Sequence, residues 1–311
     1  MRFVNISDLQ TPTAPWLLRR RELLPTLPER AWQALTSAED LVRWWCDDAE
    51  VKLHPGGVYR FGGRHSYPGS DSGGSPAHDG DFEVLEVEEA AKLSFRWWLG
   101  GVPTTVTYEL SGVLDSTELV VTQSADAVPG NWWGTISPDQ DSVPNWWWSF
   151  LPALRTYLEK GVPDIRLDFD MLQGDGAVKL DAAFSTFPWF VWHKLTDKAE
   201  LKRWWETEVE LEPHEGGSYR LGFQSMGPRK ILTWEDGKRL RHDWLWQDTH
   251  ATEIEWNIAE TQDNVQVSVV DANPLTTNGT RHFSAIFWSA LLLNLKQLSE
   301  RGIRPRDHQI F

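Results

Sequence analysis

The chain alternates between hydrophobic and polar residues with a period of two along several short segments. In the first half these segments are 16–24, 81–88, 92–99, 104–114 and 117–123. Alternation of this kind places one row of side chains on each face of a strand. Short turns separate consecutive segments, so the pattern predicts an antiparallel meander rather than a parallel sheet.

Helical spacing of hydrophobic residues predicts three helices in the same half. Pro28 is expected at the first position of a short helix. Ser37 is expected to cap a second one, with Asp40 completing a weak capping box. A long helix follows the strands at about 145–160, where Pro152 should bend or loosen it.

The Gly56-Gly57 pair lies where two short predicted strands, 49–53 and 57–62, meet. It is expected to form a turn that needs a positive φ, which a residue without a Cβ adopts at no steric cost. A phosphate-binding loop would need a following helix and more glycines, and neither is present. We therefore interpret the Gly-Gly pair as a turn.

The same elements recur in the second half of the chain. Residues 28–62 align with 188–222 without a gap, and 15 of the 35 positions are identical, including R-W-W and G-G-x-Y-R. Both copies end in similar long helices. A period this long indicates duplicated domains, because solenoid units are only about 20–50 residues long. We predict two tandem domains, 1–162 and 163–311.

Each copy follows the order strand, two short helices, six strands and a long helix. With "LPTLPERAWQALTSAEDLVRWW" and "VKLHPGGVYRF", this order resembles the helix-grip fold of the START/Bet v 1-like (SRPBCC) superfamily. Within it, the first copy resembles the family named after the activator of heat-shock protein 90 ATPase. The second copy is similar over 188–223 and in its last helix, but Lys194 and Leu221 depart from the pattern.

This resemblance implies an α+β fold of two tandem helix-grip domains. Each domain would be a curved antiparallel sheet of about seven strands, with two short helices and a long C-terminal helix across its concave face. Fold alone does not imply chemistry. The function therefore has to be argued from the residues that the sheet and the helix bring together.

Composition and charge argue against several classes of partner and location. The net charge of −15 and a pI near 5.0 disfavour nucleic acid and anionic membranes as partners. Cys46 is the only cysteine, so no internal disulfide can form, and no segment is apolar enough for a membrane span. We expect a cytoplasmic protein. Trp is abundant, with 20 copies, and supplies rigid aromatic area for cores or pockets.

Catalytic and metal-binding patterns are sparse. The sequence contains no H-E-x-x-H, no G-x-S-x-G and no P-loop, and its nine His residues lack metal-ligand spacing. Cys46 aligns with Glu206 in the second copy, which excludes a nucleophile shared by both domains. We predict no metal and no cofactor. An acid–base pair of His242 with Glu255 remains open.

Two features bear on a possible pocket. Neighbouring residues on a helix point about 100° apart, so one Trp of each R-W-W motif should face inward while the other lies at the sheet rim or cavity mouth. In "KRLRHDWLW", His242 shares one face with three apolar side chains. His242 is either a core histidine with a satisfied hydrogen bond or a residue that orients a ligand.

We predict a cavity between sheet and helix in each copy, lined by aromatic residues. In the first copy the expected lining residues are Trp44, Tyr59, Phe61, Phe95, Trp97, Tyr108, Trp147 and Leu151. In the second copy they are Trp204, Tyr219, His242, Trp244, Trp246, Trp256, Phe287 and Trp288.

Three functions are compatible with such a chain. Binding of a small hydrophobic or aromatic molecule in a cavity of ~300–1,000 Å³ ranks first. A protein-interaction module, by analogy to the chaperone activator, ranks second and would need a protein partner. A cyclase- or hydrolase-like enzyme ranks third, because no catalytic motif supports it.

Overall fold

A computed structural model describes the greater part of the chain. The described residues are 16–66, 82–99, 102–126, 142–174, 176–205, 208–222, 226–246, 250–276 and 281–302. The chain divides between Met171 and Leu172 into two compact units, each of which carries one copy of the repeated sequence.

The first unit begins with strand, helix and helix, as expected from the sequence. Its elements are β1 (Trp16–Leu24), α1 (Pro28–Thr36), α2 (Ala38–Trp44), β2 (Asp48–Val51), β3 (Tyr59–Gly62), β4 (Val84–Glu88), β5 (Lys92–Leu99), β6 (Val102–Val113), β7 (Ser116–Ala125) and α3 (Ser142–Lys160). Five strands form an antiparallel sheet in the order β1-β7-β6-β5-β4. The β2–β3 hairpin joins its edge through a bridge between Val58 and Glu83, which makes seven strands in all.

The second unit repeats this arrangement. Its elements are β8 (Val178–Phe184), α4 (Pro188–Thr196), α5 (Lys198–Trp205), β9 (Val209–Leu211), β10 (Tyr219–Leu221), β11 (Ile231–Glu235), β12 (Arg239–Trp246), β13 (His250–Glu260), β14 (Val265–Asp271) and α6 (His282–Arg301). The sheet order is β11-β12-β13-β14-β8, and a bridge between Ser218 and Lys230 attaches the β9–β10 hairpin. The first strand of each unit therefore closes the meander at its far edge.

The two glycines of each turn have different physical roles. Gly56 and Gly216 adopt φ values of 77° and 83°, a region that favours glycine. Gly57 and Gly217 have no room for a side chain, because a Cβ there would lie 2.1 and 2.3 Å from a backbone oxygen. The prediction of a turn is confirmed, and the second glycine is explained by close backbone approach.

The caps of the short helices are partly as predicted. The Ser37 hydroxyl accepts a hydrogen bond from the Asp40 amide at 3.4 Å, which caps α2. The Asp40 carboxylate does not complete a capping box. It instead forms an ion pair with Arg30 at 3.0 Å and accepts a hydrogen bond from the Tyr157 hydroxyl of α3. Asp40 therefore ties both short helices to the long one.

The long helix of the first unit is continuous from Ser142 to Lys160, although Pro152 lies inside it. It is held to the sheet by a buried ion pair in which Arg155 donates to Glu22 of β1 at 2.7 Å. Both side chains are at least nine-tenths buried, and Arg155 also contacts Glu159 at 3.3 Å, so removing either member of the Arg155–Glu22 pair breaks a buried charge contact. This ion pair fixes the helix across the face of the sheet.

Candidate functional site

All sixteen residues predicted to line a cavity are buried, and none is more than 4% exposed. Within each unit, they lie on strands and helices that pack against each other. Each set forms its own group of aromatic contacts, which we call the first and the second aromatic interior.

The first aromatic interior brings together rings from three strands and the long helix. Tyr59 on β3 contacts Phe95 on β5, with ring centroids 4.6 Å apart. Trp147 of α3 meets Trp97 of β5 edge-on at 6.1 Å. Tyr59 also donates a hydrogen bond to the Leu35 carbonyl at 2.5 Å, which binds the Gly-Gly hairpin to the end of α1. Offset and perpendicular geometries such as these are the favourable ones for aromatic pairs.

The R-W-W motif differs from the expectation that one Trp lies at the rim. Trp44 and Trp45 are each only 2% exposed, and both contact Phe150 of α3, at 4.7 and 4.6 Å. Trp44 is the last residue of α2, and Trp45 is its C-cap with φ −118° and ψ −54°. The two side chains thus converge on one ring, Phe150, instead of diverging.

The second aromatic interior is built from β12 and α6. Trp244 contacts Trp288 at 5.1 Å, and Trp246 contacts Phe287 at 4.9 Å. In the second R-W-W motif, Trp205 contacts Trp244 at 6.2 Å. The alternation along β12 is as predicted, with every second residue from Leu240 to Trp246 buried.

His242 lies within this row and is 3% exposed. Its Nδ1 is 2.6 Å from the Asp243 carbonyl oxygen, which can only accept, so Nδ1 carries the hydrogen and Nε2 carries the lone pair. The Tyr219 ring stands perpendicular to the imidazole at 5.1 Å. Burial lowers the pKa of His242 to about 4, and the ring is neutral at pH 7.

Trp244 carries another polar atom of this interior. Its ring is 2% exposed, and its Nε1 has no hydrogen-bond partner among the residues that the structure describes. In the first interior, Trp45 Nε1 likewise has no hydrogen-bond partner among the described residues. A buried donor without a partner is unusual in folded proteins and needs a physical explanation.

A buried polar triad that the sequence reasoning missed supports each long helix. In the first unit, Trp147 donates to Gln123 at 2.8 Å, and Gln123 donates to the Thr104 hydroxyl at 3.0 Å. Gln123 is fully buried near the end of β7. Its position in the inward-facing row of that strand is the signal that could have identified it.

The second unit has the same triad with a carboxylate at its centre. Trp288 donates to one oxygen of Asp271 at 2.9 Å, and Thr252 donates to the other at 2.5 Å. Asp271 is fully buried, and desolvation raises its pKa although these hydrogen bonds and one from Ser284 oppose that change. The triad fixes the orientation of the Trp288 ring against the sheet.

The alternative of an acid–base pair between His242 and Glu255 is not supported. Glu255 lies opposite Arg241 in the β12–β13 ladder, and Arg239 donates to it at 2.6 Å. Successive residues of a strand face opposite sides, so Glu255 is on the face away from His242. The notion that both residues share one cavity is therefore wrong.

Other candidate reactive groups are accounted for. Cys46 is buried, and burial raises the pKa of its thiol to about 12, so it is not a nucleophile at neutral pH. Asp47 accepts hydrogen bonds from the amide and ring nitrogens of His65 at 2.9 and 2.7 Å. Among the described residues, no group of His, Cys, Asp and Glu side chains is arranged to hold a metal ion.

A family model described as "Activator of Hsp90 ATPase homolog 1-like protein" matches residues 25–159 and again 186–300. The chain belongs to this family. The two matches, together with two similarly ordered antiparallel sheets, make the protein a tandem of helix-grip α+β domains.

Three solved structures are similar to this chain. DynU16, from the dynemicin biosynthetic locus, is 19% identical, with 91% of this chain and 98% of that one covered and a TM-score of 0.39. CalU16 from Micromonospora echinospora is 20% identical, with 41% and 77% covered and a TM-score of 0.35. The Aha1 dimer from Colwellia psychrerythraea is 20% identical, with 40% and 97% covered and a TM-score of 0.36. Among curated proteins, no sequence matches this chain significantly.

None of the described helices is both long enough and apolar enough to cross a membrane.

Proposed function

We propose that the protein binds small hydrophobic or aromatic molecules in the interior between the sheet and the long helix. The observation that carries this proposal is the pair of buried indole N–H groups, on Trp45 and Trp244, that have no partner among the described residues. Leaving such a donor unpaired destabilises a protein by roughly 1–3 kcal/mol. A ligand with an acceptor atom would remove that cost, and the surrounding rings would cover its apolar surface.

Aromatic packing explains how a ligand could be accommodated. In the second interior, Phe287 contacts both Trp246 at 4.9 Å and Trp244 at 5.9 Å. A planar ligand would replace some of these ring–ring contacts with ring–ligand contacts of the same kind. The exchange retains most of the dispersion energy of the free protein.

The test is a titration of the full chain with naphthalene and with 2-methoxynaphthalene, whose ether oxygen can accept a hydrogen bond from an indole N–H and which should bind more tightly. Binding is monitored by tryptophan fluorescence and native mass spectrometry. Phe287→Ala removes a buried ring and should raise the affinity for naphthalene several-fold, as apolar space created in a core binds apolar molecules. Phe187→Ala removes a ring that is 66% exposed and should leave the affinity unchanged. Absence of any complex with wild type and with Phe287→Ala would refute the proposal.

A second candidate function is interaction with a protein partner. Trp189 near the start of α4 is 60% exposed, and its ring contacts Phe190 at 4.4 Å. Exposed Trp residues are enriched at protein interfaces. Stimulation of a chaperone ATPase by wild type, and its loss in Trp189→Glu, would support this role.

The cytoplasmic location stays a prediction that fractionation of the source cells can check.

A further inference from the structure

The two interiors differ chemically at one equivalent position. Val84 pairs with Phe95 in the first sheet, and Ile231 pairs with His242 in the second. Val84 and Ile231 each accept a hydrogen bond from the first glycine of the Gly-Gly turn, at 2.8 and 2.9 Å. Phe95 and His242 therefore occupy the same place beside the same hairpin.

The surroundings of this place are alike in the two units. Tyr59 contacts Phe95 at 4.6 Å, and Tyr219 contacts His242 at 5.1 Å. A phenylalanine ring offers only apolar contact there, whereas the imidazole of the buried His242 adds a lone pair on Nε2. The substitution thus places a hydrogen-bond acceptor in an otherwise similar aromatic setting.

A donor lies next to that acceptor. Trp244 follows His242 in the inward row of β12, and their ring centroids are 6.2 Å apart. Its Nε1 lacks a partner within the part of the chain that the structure describes. Trp288, which contacts Trp244 at 5.1 Å, is oriented by Asp271. The donor on Trp244 and the acceptor on His242 therefore lie beside a Trp288 ring whose orientation is already fixed.

We infer that the second unit is the copy that selects its ligand by polarity. Its interior takes a planar aromatic molecule bearing a hydroxyl group, which donates to His242 Nε2 and accepts from Trp244 Nε1. This inference rests on the proposed function and specifies the ligand class. A phenolic hydroxyl matches both partners, because one oxygen donates its hydrogen and still accepts a second hydrogen bond.

The experiment compares 2-naphthol with naphthalene, which share the same rings and differ by the hydroxyl. Isothermal titration of the full chain should show binding of 2-naphthol that is tighter by about tenfold or more, as the two hydrogen bonds of its hydroxyl predict. His242→Phe installs the residue of the first copy, leaves only the hydrogen bond from Trp244 Nε1 and should reduce the preference several-fold. His214→Phe, which alters an exposed histidine of the Gly-Gly turn, should retain it.

Two further measurements separate ligand contact from a general effect on folding. In wild-type protein with ¹⁵N-labelled histidine, 2-naphthol should shift the Nε2 resonance of His242, and naphthalene should not. Trp244→Phe should reduce the preference several-fold. Trp234→Phe, which removes an indole whose Nε1 donates to Asp236 at 2.6 Å, should leave the preference intact.

The outcomes distinguish this inference from the proposed function. Equal binding of both compounds, a preference that is undiminished in His242→Phe, or an unmoved Nε2 resonance would overturn the inference and leave aromatic binding standing. If neither compound binds, the proposed function fails and the inference fails with it.

Discussion

The buried histidine should make the protein less stable in mild acid, and His242→Phe should remove that effect. The pKa of His242 is lowered from 6.5 to about 4 by burial. As pH falls below 6.5, the unfolded chain binds a proton at this histidine and the folded chain does not. The stability that the neutral His242 contributes is therefore fully present above pH 6.5 and is lost as the pH falls towards 4. The separation of about 2.5 pH units corresponds to about 3 kcal/mol, of which about 2 kcal/mol is lost by pH 5.

Urea unfolding at pH 7, 6 and 5 measures this contribution. Between pH 7 and pH 5, the free energy of unfolding of the wild type should fall by about 2 kcal/mol more than that of His242→Phe. His214→Phe, at an exposed site, should follow the wild type. Equal pH dependence in wild type and His242→Phe would show that the folded protein accepts a proton at His242 as readily as the unfolded chain does.

Three other predictions follow from the contacts of single residues. Gly57→Ala should destabilise the protein by roughly 3 kcal/mol or more in urea unfolding, because its Cβ would overlap a backbone oxygen, whereas Gly161→Ala, with open space around it, should cost only about 1 kcal/mol. Asp271→Asn should change the stability by less than about 1 kcal/mol, whereas Asp271→Leu should cost roughly 2–3 kcal/mol by leaving the Trp288 N–H unpaired; equal losses would contradict the triad. Cys46 should resist iodoacetamide until the protein unfolds, since its pKa is about 12, and rapid labelling of native protein would disprove its burial.

Much of the fold was predictable because its signals are local. The inward row of β12 and the positive φ of Gly56 follow from the spacing of a few adjacent residues, and both are as expected. The duplication was visible because identical residues recur in the same order. The convergence of Trp44 and Trp45 was not predictable, because it depends on where α2 ends and on a ring of α3 more than 100 positions away.

The candidate site was predicted only as a set of residue types. Periodicity placed His242 among aromatic side chains, and it left open whether the imidazole was satisfied internally or available to a ligand. The structure resolves the tautomer, since Nδ1 is engaged by the Asp243 carbonyl. It also removes Glu255 from consideration as a partner, since strand pairing puts that carboxylate beside Arg239 and Arg241.

The sequence by itself determined the tandem duplication and which side chains of β12 face inward, because residue order and periodicity act over a few positions. The helix-grip topology was implied by the resemblance of both copies to a known family. Only the tertiary structure decided that Trp288, Asp271 and Thr252 meet in one triad. Hydrogen bonds require atoms within about 3 Å. Atoms on different strands and helices reach that distance only when the whole unit has folded.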